Sequence, residues 1–242
     1  MAKYGLIGKN IEYSFSKTFF TIKFEKSKKS HTYHNFDIPS IKELPKLIEK
    51  HKDLKGLNVT TPYKEAIIPY LDSIDKEAKL IGAVNTIRIK KGKLKGFNTD
   101  DYGFAESLYD ILPIKEKTAL ILGYGGAGKA VSFVLKNLSF KFKIVSRNAS
   151  DTAISYEDIT RDIMKKHYLI VNCTPVGTFP NILDFPPIPY KYLTKNHVLY
   201  DLIYNPRETE FLKRGFAQGA RVKNGMKMLE FQAKKSWRIW KS

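Results

Sequence analysis

Apolar positions divide the chain into two halves in which strand and helix patterns alternate. In the first hundred residues, the apolar runs predict strands over residues 4–8 and 57–59 and a hairpin over residues 86–97 that turns near Gly92. Helical spacing predicts helices that begin at Ser16, at Ser40 and at Lys64, and Glu43 completes a capping box with Ser40. This half is therefore predicted to be mixed α/β.

The second half, from about residue 101, alternates more regularly. A helix through Phe104, Leu108 and Leu112 precedes a continuous apolar strand over residues 118–122, and a helix over residues 126–137 follows. Further strands are predicted over residues 143–146, 168–172 and 198–202. Strands that alternate with helices in this way predict a doubly wound parallel sheet with right-handed crossovers.

The C-terminal segment has the pattern of an amphipathic helix. Its apolar face consists of Met226, Leu229, Ala233, Trp237 and Trp240. Two tryptophans on one face need a partner surface, so we expect this helix to pack on the first half of the chain.

A glycine-rich turn follows the first strand of the second half. Gly123, Gly125 and Gly128 form a GxGxxG pattern between that strand and the next helix, which is the context that dinucleotide binding requires. The first glycine permits the tight turn, the second lets the backbone approach a pyrophosphate, and the helix N-terminus attracts its negative charge. The next strand ends in Ser146 and Arg147 rather than in an acid, and a guanidinium there favours NADP over NAD.

Composition and charge narrow the class of protein. The 242 residues include 42 Lys and Arg against 24 Asp and Glu, a net charge of +18 that favours anionic ligands. The lysines are dispersed without a block of five or six like charges, so no nucleic-acid partner is predicted. One cysteine and five histidines without paired spacing predict neither disulfides nor a metal site. No apolar run approaches the roughly 20 residues of a membrane span, and we expect a cytoplasmic protein without a membrane partner.

Four polar segments of the first half come where strands would otherwise run into ordinary loops. They are Ser14 with Ser16, residues 58–64, residues 83–86 and residues 98–100. Each segment alone could be turn chemistry, because Asn and Asp stabilise turns through their own backbones. Turns alone do not readily explain why all four segments occur in a chain that also has a dinucleotide-binding pattern.

These segments resemble the shikimate dehydrogenase family, and further matches follow in family order through the second half. The matching segments are residues 14–16 (SFS), 56–64 (GLNVTTPYK), 82–86 (GAVNT), 98–100 (NTD), 123–128 (GYGGAG), 172–177 (NCTPVG), 201–206 (DLIYNP), and Asn224 and Gly225 through Gln232. The resemblance covers nearly the whole chain.

The resemblance implies a fold and a reaction. The reaction is the reversible transfer of a hydride between NADP and the C3 hydroxyl carbon of shikimate, which gives 3-dehydroshikimate in the biosynthesis of aromatic amino acids. The fold is an α/β substrate domain of residues 1–100, joined by a C-terminal helix over residues 224–242, and a Rossmann-like NADP-binding domain of residues 101–223. We expect a monomer or a homodimer with a small-molecule substrate.

The same resemblance implies the roles of individual residues. Lys64 and Asp100 match the catalytic pair, and the sequence leaves open which of them holds the transferred proton. The residues expected to bind substrate are Ser14, Ser16, Thr60, Asn85, Tyr204 and Gln232. The residues expected to bind the cofactor are Gly123, Gly125, Gly126, Ala127 and Gly128 at the pyrophosphate, Ser146, Arg147 and Asn148 at the adenosine phosphate, and Thr174, Gly225 and Met228 at the nicotinamide.

The chain departs from the family pattern in two places that bear on function. Asp101 stands where a small glycine usually follows the catalytic aspartate, and a second acid there could perturb the pair. Ser150 and Asp151 stand where a second basic residue is common, so relaxed use of NAD and NADP is a competing hypothesis. A second alternative is a dehydrogenase that acts on quinate or on an amino-shikimate, although the pair Ser14 and Ser16 favours shikimate over quinate. A third is a non-catalytic sensor that binds NADP(H).

Overall fold

The computed structural model describes residues 2–12, 14–28 and 30–242, and the chain forms two compact units. The first unit comprises residues up to Thr99 together with Ala233–Ser242, and the second comprises Asp100–Gln232. Both units combine helices with a six-stranded sheet, so the predicted α/β class is confirmed.

The first unit contains a mixed sheet. Its strands are β1 (Lys3–Gly8), β2 (Thr32–Asp37), β3 (Leu54–Val59), β4 (Ser73–Ile74), β5 (Thr86–Lys90) and β6 (Lys93–Phe97). Its helices are α1 (Phe15–Lys26), α2 (Leu44–Lys50), α3 (Tyr63–Ala66) and α4 (Lys76–Ile81). The strand order is β2-β1-β3-β5-β6-β4. Strand β5 runs antiparallel to β3, and β6 runs antiparallel to β5. As a result, the carboxyl ends of β1 and β3 and the start of β5 lie at one edge of this sheet.

Local predictions for this unit are partly confirmed. The hairpin of β5 and β6 is present, but α1 begins at Phe15 because Ser14, not Ser16, is its N-cap. The capping box is wrong: the Ser40 hydroxyl accepts from the amide of Lys42, and α2 begins only at Leu44. The helix predicted to begin at Lys64 is divided into α3 and a 3-10 turn over Ile68–Tyr70, since the proline within this turn lacks the amide hydrogen that a continuous helix needs.

The second unit contains an all-parallel sheet. Its strands are β7 (Thr118–Leu122), β8 (Lys141–Ser146), β9 (Ala153–Ser155), β10 (Leu169–Asn172), β11 (Val198–Asp201) and β12 (Arg221–Lys223). Its helices are α5 (Asp100–Leu108), α6 (Gly126–Asn137), α7 (Arg161–Lys166), α8 (Glu210–Ala217) and the first part of α9 (Met226–Lys241). The order β12-β11-β10-β7-β8-β9 is the strand order of a Rossmann sheet.

Two apolar clusters cover the two faces of this sheet. Ala119 and Ile121 of β7 pack with side chains of α5 and α6, whereas the alternate residues Leu120 and Leu122 pack with side chains of α7 and α8. The predicted doubly wound arrangement is therefore confirmed. The helix predicted through Leu112 is too long, because α5 ends at Leu108 and a 3-10 turn leads into the following proline.

The end of α9 packs in the first unit, as the two tryptophans predicted. Trp237 and Trp240 join Tyr4, Phe20, Phe24 and Tyr33 in an aromatic cluster. The indole N–H of Trp240 donates to the carbonyl of Ile87 in β5 at 2.9 Å. The helix passes from the second unit to the first between Gln232 and Ala233.

Candidate active site

The N-terminus of α1 presents two serines close to the carboxyl end of β1. The Ser14 hydroxyl accepts from the Ser16 amide at 3.2 Å and so caps the helix. Ser16 is buried, and its side chain hydrogen-bonds the hydroxyl of Tyr33. Uncompensated amides at a helix N-terminus attract negative charge, so this turn can receive a carboxylate.

A buried amide, Asn58, lies at the centre of a polar network at the same edge. Its Oδ1 accepts from the Tyr33 hydroxyl at 2.9 Å. Burial raises the pKa of Tyr33 and so keeps this hydroxyl protonated. Its Nδ2 donates to the hydroxyls of Ser236 at 3.0 Å and Thr86 at 3.2 Å. Ser236 belongs to α9, so the C-terminal helix supplies part of the network. Neither Asn58 nor Ser236 was predicted as a site residue, although Asn58 lies inside a matching segment.

Asn85, a predicted substrate ligand, is fixed by the residue that precedes Asp100. Its Oδ1 accepts from the Thr99 amide at 2.7 Å, and its Nδ2 donates to the Thr99 hydroxyl at 3.0 Å. Both residues are buried, and an amide that is hydrogen-bonded at its oxygen and at its nitrogen in a low-dielectric environment keeps one orientation. The network therefore holds the Asn85 amide against the backbone of Thr99.

Lys64 and Thr60 lie at the carboxyl end of β3. The Thr60 amide donates to the carbonyl of Ile7 in β1 at 2.9 Å, and the Lys64 carbonyl accepts from the Val84 amide at 2.8 Å. Both side chains are half-buried. The structure thus brings Ser14, Ser16, Thr60, Lys64 and Asn85 to one edge of the first sheet.

The second unit contributes the remaining predicted residues. Asp100 is its first residue and opens α5, directly after Thr99, and both Asp100 and the neighbouring Asp101 are buried. Gln232 is buried and packs on Gly103, because a Cβ at Gly103 would lie only 3.0 Å from the Gln232 Cβ. The absence of a side chain at Gly103, which no local pattern indicated, lets α9 approach the helix that Asp100 begins.

The glycine-rich turn has the geometry of a pyrophosphate cradle. Gly123 has a φ of +89°, and a Cβ at Gly128 would overlap the Gly123 carbonyl, so both positions require glycine. A Cβ at Gly125 would meet nothing within 4 Å, which leaves open space above the turn. Among the described residues, the N-cap of α6 is Gly125, which makes no side-chain capping hydrogen bond, and the helix begins with Gly126 and Ala127. Open space in front of uncapped amides fits a diphosphate.

The end of β8 presents the residues expected at the adenosine phosphate. Ser146 is half-buried and its hydroxyl donates to the carbonyl of Asn148, while Arg147 and Asn148 are exposed. Burial raises the pKa of Tyr156 to about 12, and the positive charge of the nearby Arg147 opposes this shift. Tyr156 is a neighbour of the predicted site that the sequence did not identify.

The residues expected at the nicotinamide follow β10 and β12. The amide and hydroxyl of Thr174 donate to Asn172 Oδ1 at 3.1 and 2.6 Å. The Gly225 amide donates to the Ile203 carbonyl at 2.9 Å, and a Cβ at Gly225 would overlap the carbonyl of Leu202. Met228 is buried in the first turn of α9, and Tyr204, a predicted substrate ligand, is half-buried directly after Ile203.

An ion-pair cluster braces the segment that contains Gly225. Asp110 accepts from Lys223 at 2.6 Å and from Lys227 at 2.8 Å, one lysine on each side of Gly225. These two cations lower the pKa of Asp110 to about 2. The segment is thereby tied to the turn that follows α5.

Membrane-spanning helices and metal-binding clusters are both absent from residues 2–12, 14–28 and 30–242. No helix in these ranges is long and apolar enough to cross a membrane. Within the same ranges, no three His, Cys, Asp or Glu side chains come together in a group that could hold a metal ion.

Comparisons with known proteins agree on one family. A family model described as the shikimate dehydrogenase substrate binding domain matches residues 6–87. A relative from Clostridium botulinum, named shikimate dehydrogenase (NADP(+)), is 39% identical over 98% of this chain and 95% of its own length.

Solved structures extend the similarity to the whole fold. A shikimate dehydrogenase from Aquifex aeolicus has a TM-score of 0.89 and 35% identity, covering 99% of this chain and 92% of that one. A shikimate 5-dehydrogenase from Thermus thermophilus, in complex with NADP(H) and shikimate, has a TM-score of 0.88 and 31% identity, covering 99% of this chain and 93% of that one. With this identity over nearly its full length, the chain belongs to the shikimate dehydrogenase family.

Proposed function

We propose that the chain is an enzyme that catalyses the reversible NADP-dependent oxidation of shikimate to 3-dehydroshikimate, a step in aromatic amino acid biosynthesis. The observation that carries the proposal is the buried network of Asn58, Asn85 and Thr99, which orients hydrogen-bonding groups directly before Asp100. The names of the Clostridium botulinum and Thermus thermophilus relatives support the same substrate and cofactor.

Recognition of shikimate requires a site for one carboxylate and sites for ring hydroxyls. Ser14 and Ser16, at the N-terminus of α1, are suited to the carboxylate, and we assign Tyr204 to the same end. Neutral donors and acceptors suit the hydroxyls, since a buried hydroxyl left unpaired costs about 1 to 3 kcal/mol. We assign the hydroxyls to Thr60, Asn85, Asp100 and Gln232. The match of residues 6–87 to a substrate binding domain supports residues 1–100 as the substrate domain.

Oxidation at C3 removes a hydride from the carbon and a proton from its hydroxyl, so that the C–O bond becomes a carbonyl. NADP, held by the residues assigned to it below, would supply the hydride acceptor. We assign the proton to the pair Lys64 and Asp100, which accepts it in the forward direction and returns it in reverse. The proton is assigned to the pair rather than to one of the two residues.

The cofactor is held by the cradle and by the strand ends around it. Gly123, Gly125 and Gly128 leave room for the pyrophosphate, and the amides of Gly126 and Ala127 begin the helix that faces it. The exposed guanidinium of Arg147, with Ser146 and Asn148, is suited to the 2′-phosphate that distinguishes NADP from NAD. Thr174, Gly225 and Met228 are assigned to the nicotinamide end.

Three further properties remain predictions from the sequence. They are a cytoplasmic location, an assembly no larger than a homodimer, and the absence of a nucleic-acid partner.

The test is reduction of the nicotinamide by the purified protein with shikimate or quinate, each with NADP and with NAD. We expect turnover with shikimate and NADP to exceed the other three combinations. Preference for quinate or for NAD would favour the related dehydrogenases, and NADP(H) binding without turnover would favour a sensor.

The catalytic assignment is tested by Lys64→Ala. Turnover should fall by about a hundredfold or more while the Kd of NADPH stays near that of the wild type, because the proton acceptor is lost and the cofactor site is not. Lys79→Ala removes an exposed lysine of α4 and serves as the control. Turnover in Lys64→Ala equal to that of the control would remove Lys64 from the mechanism.

A further inference from the structure

A fully buried carboxylate, Asp201, lies at the carboxyl end of β11 and has no part in the reaction described above. Its Oδ1 accepts from Asn172 Nδ2 at 3.1 Å and from the Ile203 amide at 3.0 Å. Its Oδ2 accepts from the hydroxyl of Thr209 at 2.6 Å. Thr209 in turn caps α8, since its hydroxyl accepts from the Leu212 amide.

The carboxylate determines which way the Asn172 amide faces. Burial raises the pKa of Asp201 to about 6, so the group is ionised at pH 8 and can only accept hydrogen bonds. Asn172 must therefore turn its NH₂ group towards Asp201, and its carbonyl oxygen faces the other way. That oxygen accepts from both the amide and the hydroxyl of Thr174. A flipped Asn172 would instead turn its carbonyl oxygen towards the Asp201 carboxylate and its NH₂ group towards the Thr174 amide, and neither contact could form a hydrogen bond.

Thr174 connects this chain of hydrogen bonds to the glycine-rich turn. Its hydroxyl oxygen accepts from the Val176 amide at 3.3 Å, which holds the loop after β10 in shape. Its methyl group lies 2.7 Å from where a Cβ of Gly123 would stand, so the methyl packs directly on the backbone of the turn. The orientation of Asn172 thus sets the position of Thr174 against the first glycine of the cradle.

The residues that directly follow Asp201 support the other side of the same region. The Ile203 amide donates to Asp201, and the carbonyl of the same residue accepts from the Gly225 amide at 2.9 Å. The backbone of Leu202 lies where a side chain of residue 225 would be. Thr174 and Gly225, both assigned to the nicotinamide, are therefore positioned from one buried carboxylate.

We propose that Asp201 is a positioning residue for the cofactor: through Asn172 and Ile203 it holds Thr174 and Gly225 where the nicotinamide end of the dinucleotide binds. The inference rests on the proposed function, because it takes these two residues as part of the cofactor site. Asp201 itself touches no reacting atom, and its effect is on cofactor affinity rather than on the proton transfer.

The test is the Kd of NADPH and of NADH at pH 8, measured by fluorescence titration of the wild type and three variants. Asp201→Leu leaves Asn172 Nδ2 with only the long contact to the Val176 carbonyl, at 3.4 Å, and should weaken both cofactors by about tenfold. Asp201→Asn should rescue binding to within about threefold, because its amide oxygen can still accept from Asn172 and Ile203. Thr209→Val removes the hydrogen bond to Asp201 Oδ2 and the cap on the Leu212 amide but leaves the bonds from Asn172 and Ile203, so it should lower the Tm while leaving both Kd values unchanged.

A further variant, Asn172→Leu, tests the same role if Asp201→Leu does not fold. Asn172→Leu is close in volume, keeps Asp201 paired with Thr209 and Ile203, and removes the acceptor of Thr174, so the same tenfold loss is expected. The loss should be equal for NADPH and NADH, since the affected groups lie at the nicotinamide end, and the KM of shikimate should change less than that of NADP.

The possible results separate the two proposals. Unchanged Kd values in both Leu variants, or a loss in Thr209→Val as large as in Asp201→Leu, would overturn the positioning role alone. NADPH binding without shikimate turnover in the wild type would overturn the proposed reaction, while the Kd series would still decide the role of Asp201. A wild type that binds neither cofactor would overturn both.

Discussion

Replacing Gly56 with alanine should loosen the attachment of α9 to the first sheet. Gly56 lies in the middle of β3, and the indole of Trp240 covers it: a Cβ at residue 56 would lie 2.6 Å from Trp240 Cε2 and closer still to the pyrrole edge. The ring cannot simply turn aside. Its N–H donates to the Ile87 carbonyl at 2.9 Å, and its face stacks on Tyr4 with ring centroids 4.9 Å apart.

The magnitude follows from these contacts. Forcing an extra carbon into a packed core costs about 1 to 3 kcal/mol. If the ring moves, the buried hydrogen bond to Ile87 is also lost, which costs about 1 kcal/mol. A loss of about 2 to 4 kcal/mol in a chain of this length lowers the Tm by roughly 4 to 16 °C.

Thermal unfolding followed by circular dichroism measures this loss, and a double-mutant cycle tests its cause. In Gly56→Ala combined with Trp240→Leu, the added methyl can occupy space that the indole has left. The Tm of the double variant should therefore be close to that of Trp240→Leu alone. Lys55→Ala, at an exposed neighbouring position of β3, is the control and should change the Tm little.

Two results would refute this reasoning. One is a Gly56→Ala protein that melts within about 2 °C of the wild type, below the range expected for overpacking. The other is a double variant whose loss equals the two single losses combined, since this would show that the methyl and the indole do not compete for the same space.

Further predictions concern the cofactor site and the buried carboxylate. Gly125→Ala should keep the Tm of the wild type but weaken the binding of NADPH, because its methyl enters the open space above the turn. Gly128→Ala should instead lower the Tm, because its methyl meets the carbonyl of Gly123. Equal Tm values for the two variants would contradict this. Arg147→Ala should raise the Kd of NADPH far more than that of NADH, and equal weakening would make Arg147 a general support. Because the pKa of Asp201 is raised from its ordinary value of 3.8 to about 6, protonation favours the folded state. As the pH falls from 8 to 4, the free energy of unfolding of the wild type should therefore rise by about 2 kcal/mol relative to Asp201→Asn. Urea unfolding across this range measures the difference, and a constant difference would exclude the raised pKa.

Several features of this protein could be predicted from the sequence because they leave a local pattern. Buried parallel strands are apolar on both faces, so β7 appears as a continuous run, and the glycines after it mark the turn into α6. The hairpin of β5 and β6 was predicted from its alternation and the glycine at its turn. The short elements β9, β12 and α7 were missed, since three to six residues are too few to show a period.

Helix ends were predicted less well than helix positions. The Ser40–Glu43 spacing matched a capping box, yet the Ser40 hydroxyl bonds the amide of Lys42. The apolar face of α5 continued in sequence to Leu112, but the helix stops at Leu108. In both cases the apolar spacing was compatible with helix. At the second, Leu112 takes an extended backbone conformation because a proline follows it.

The sequence by itself determined the fold class, the dinucleotide cradle, the family, and the residue types available for the chemistry, because each of these depends on neighbours in the chain or on spacing within one segment. Only the tertiary structure decided what holds those residues in place. Asn58 and Ser236 share a hydrogen bond across 178 positions, and Asp201 acts on Thr174 through Asn172, 29 positions away. Gly56 and Gly103 matter because α9 passes over them. Such roles depend on contacts between distant segments, which the folded chain creates and no local pattern contains.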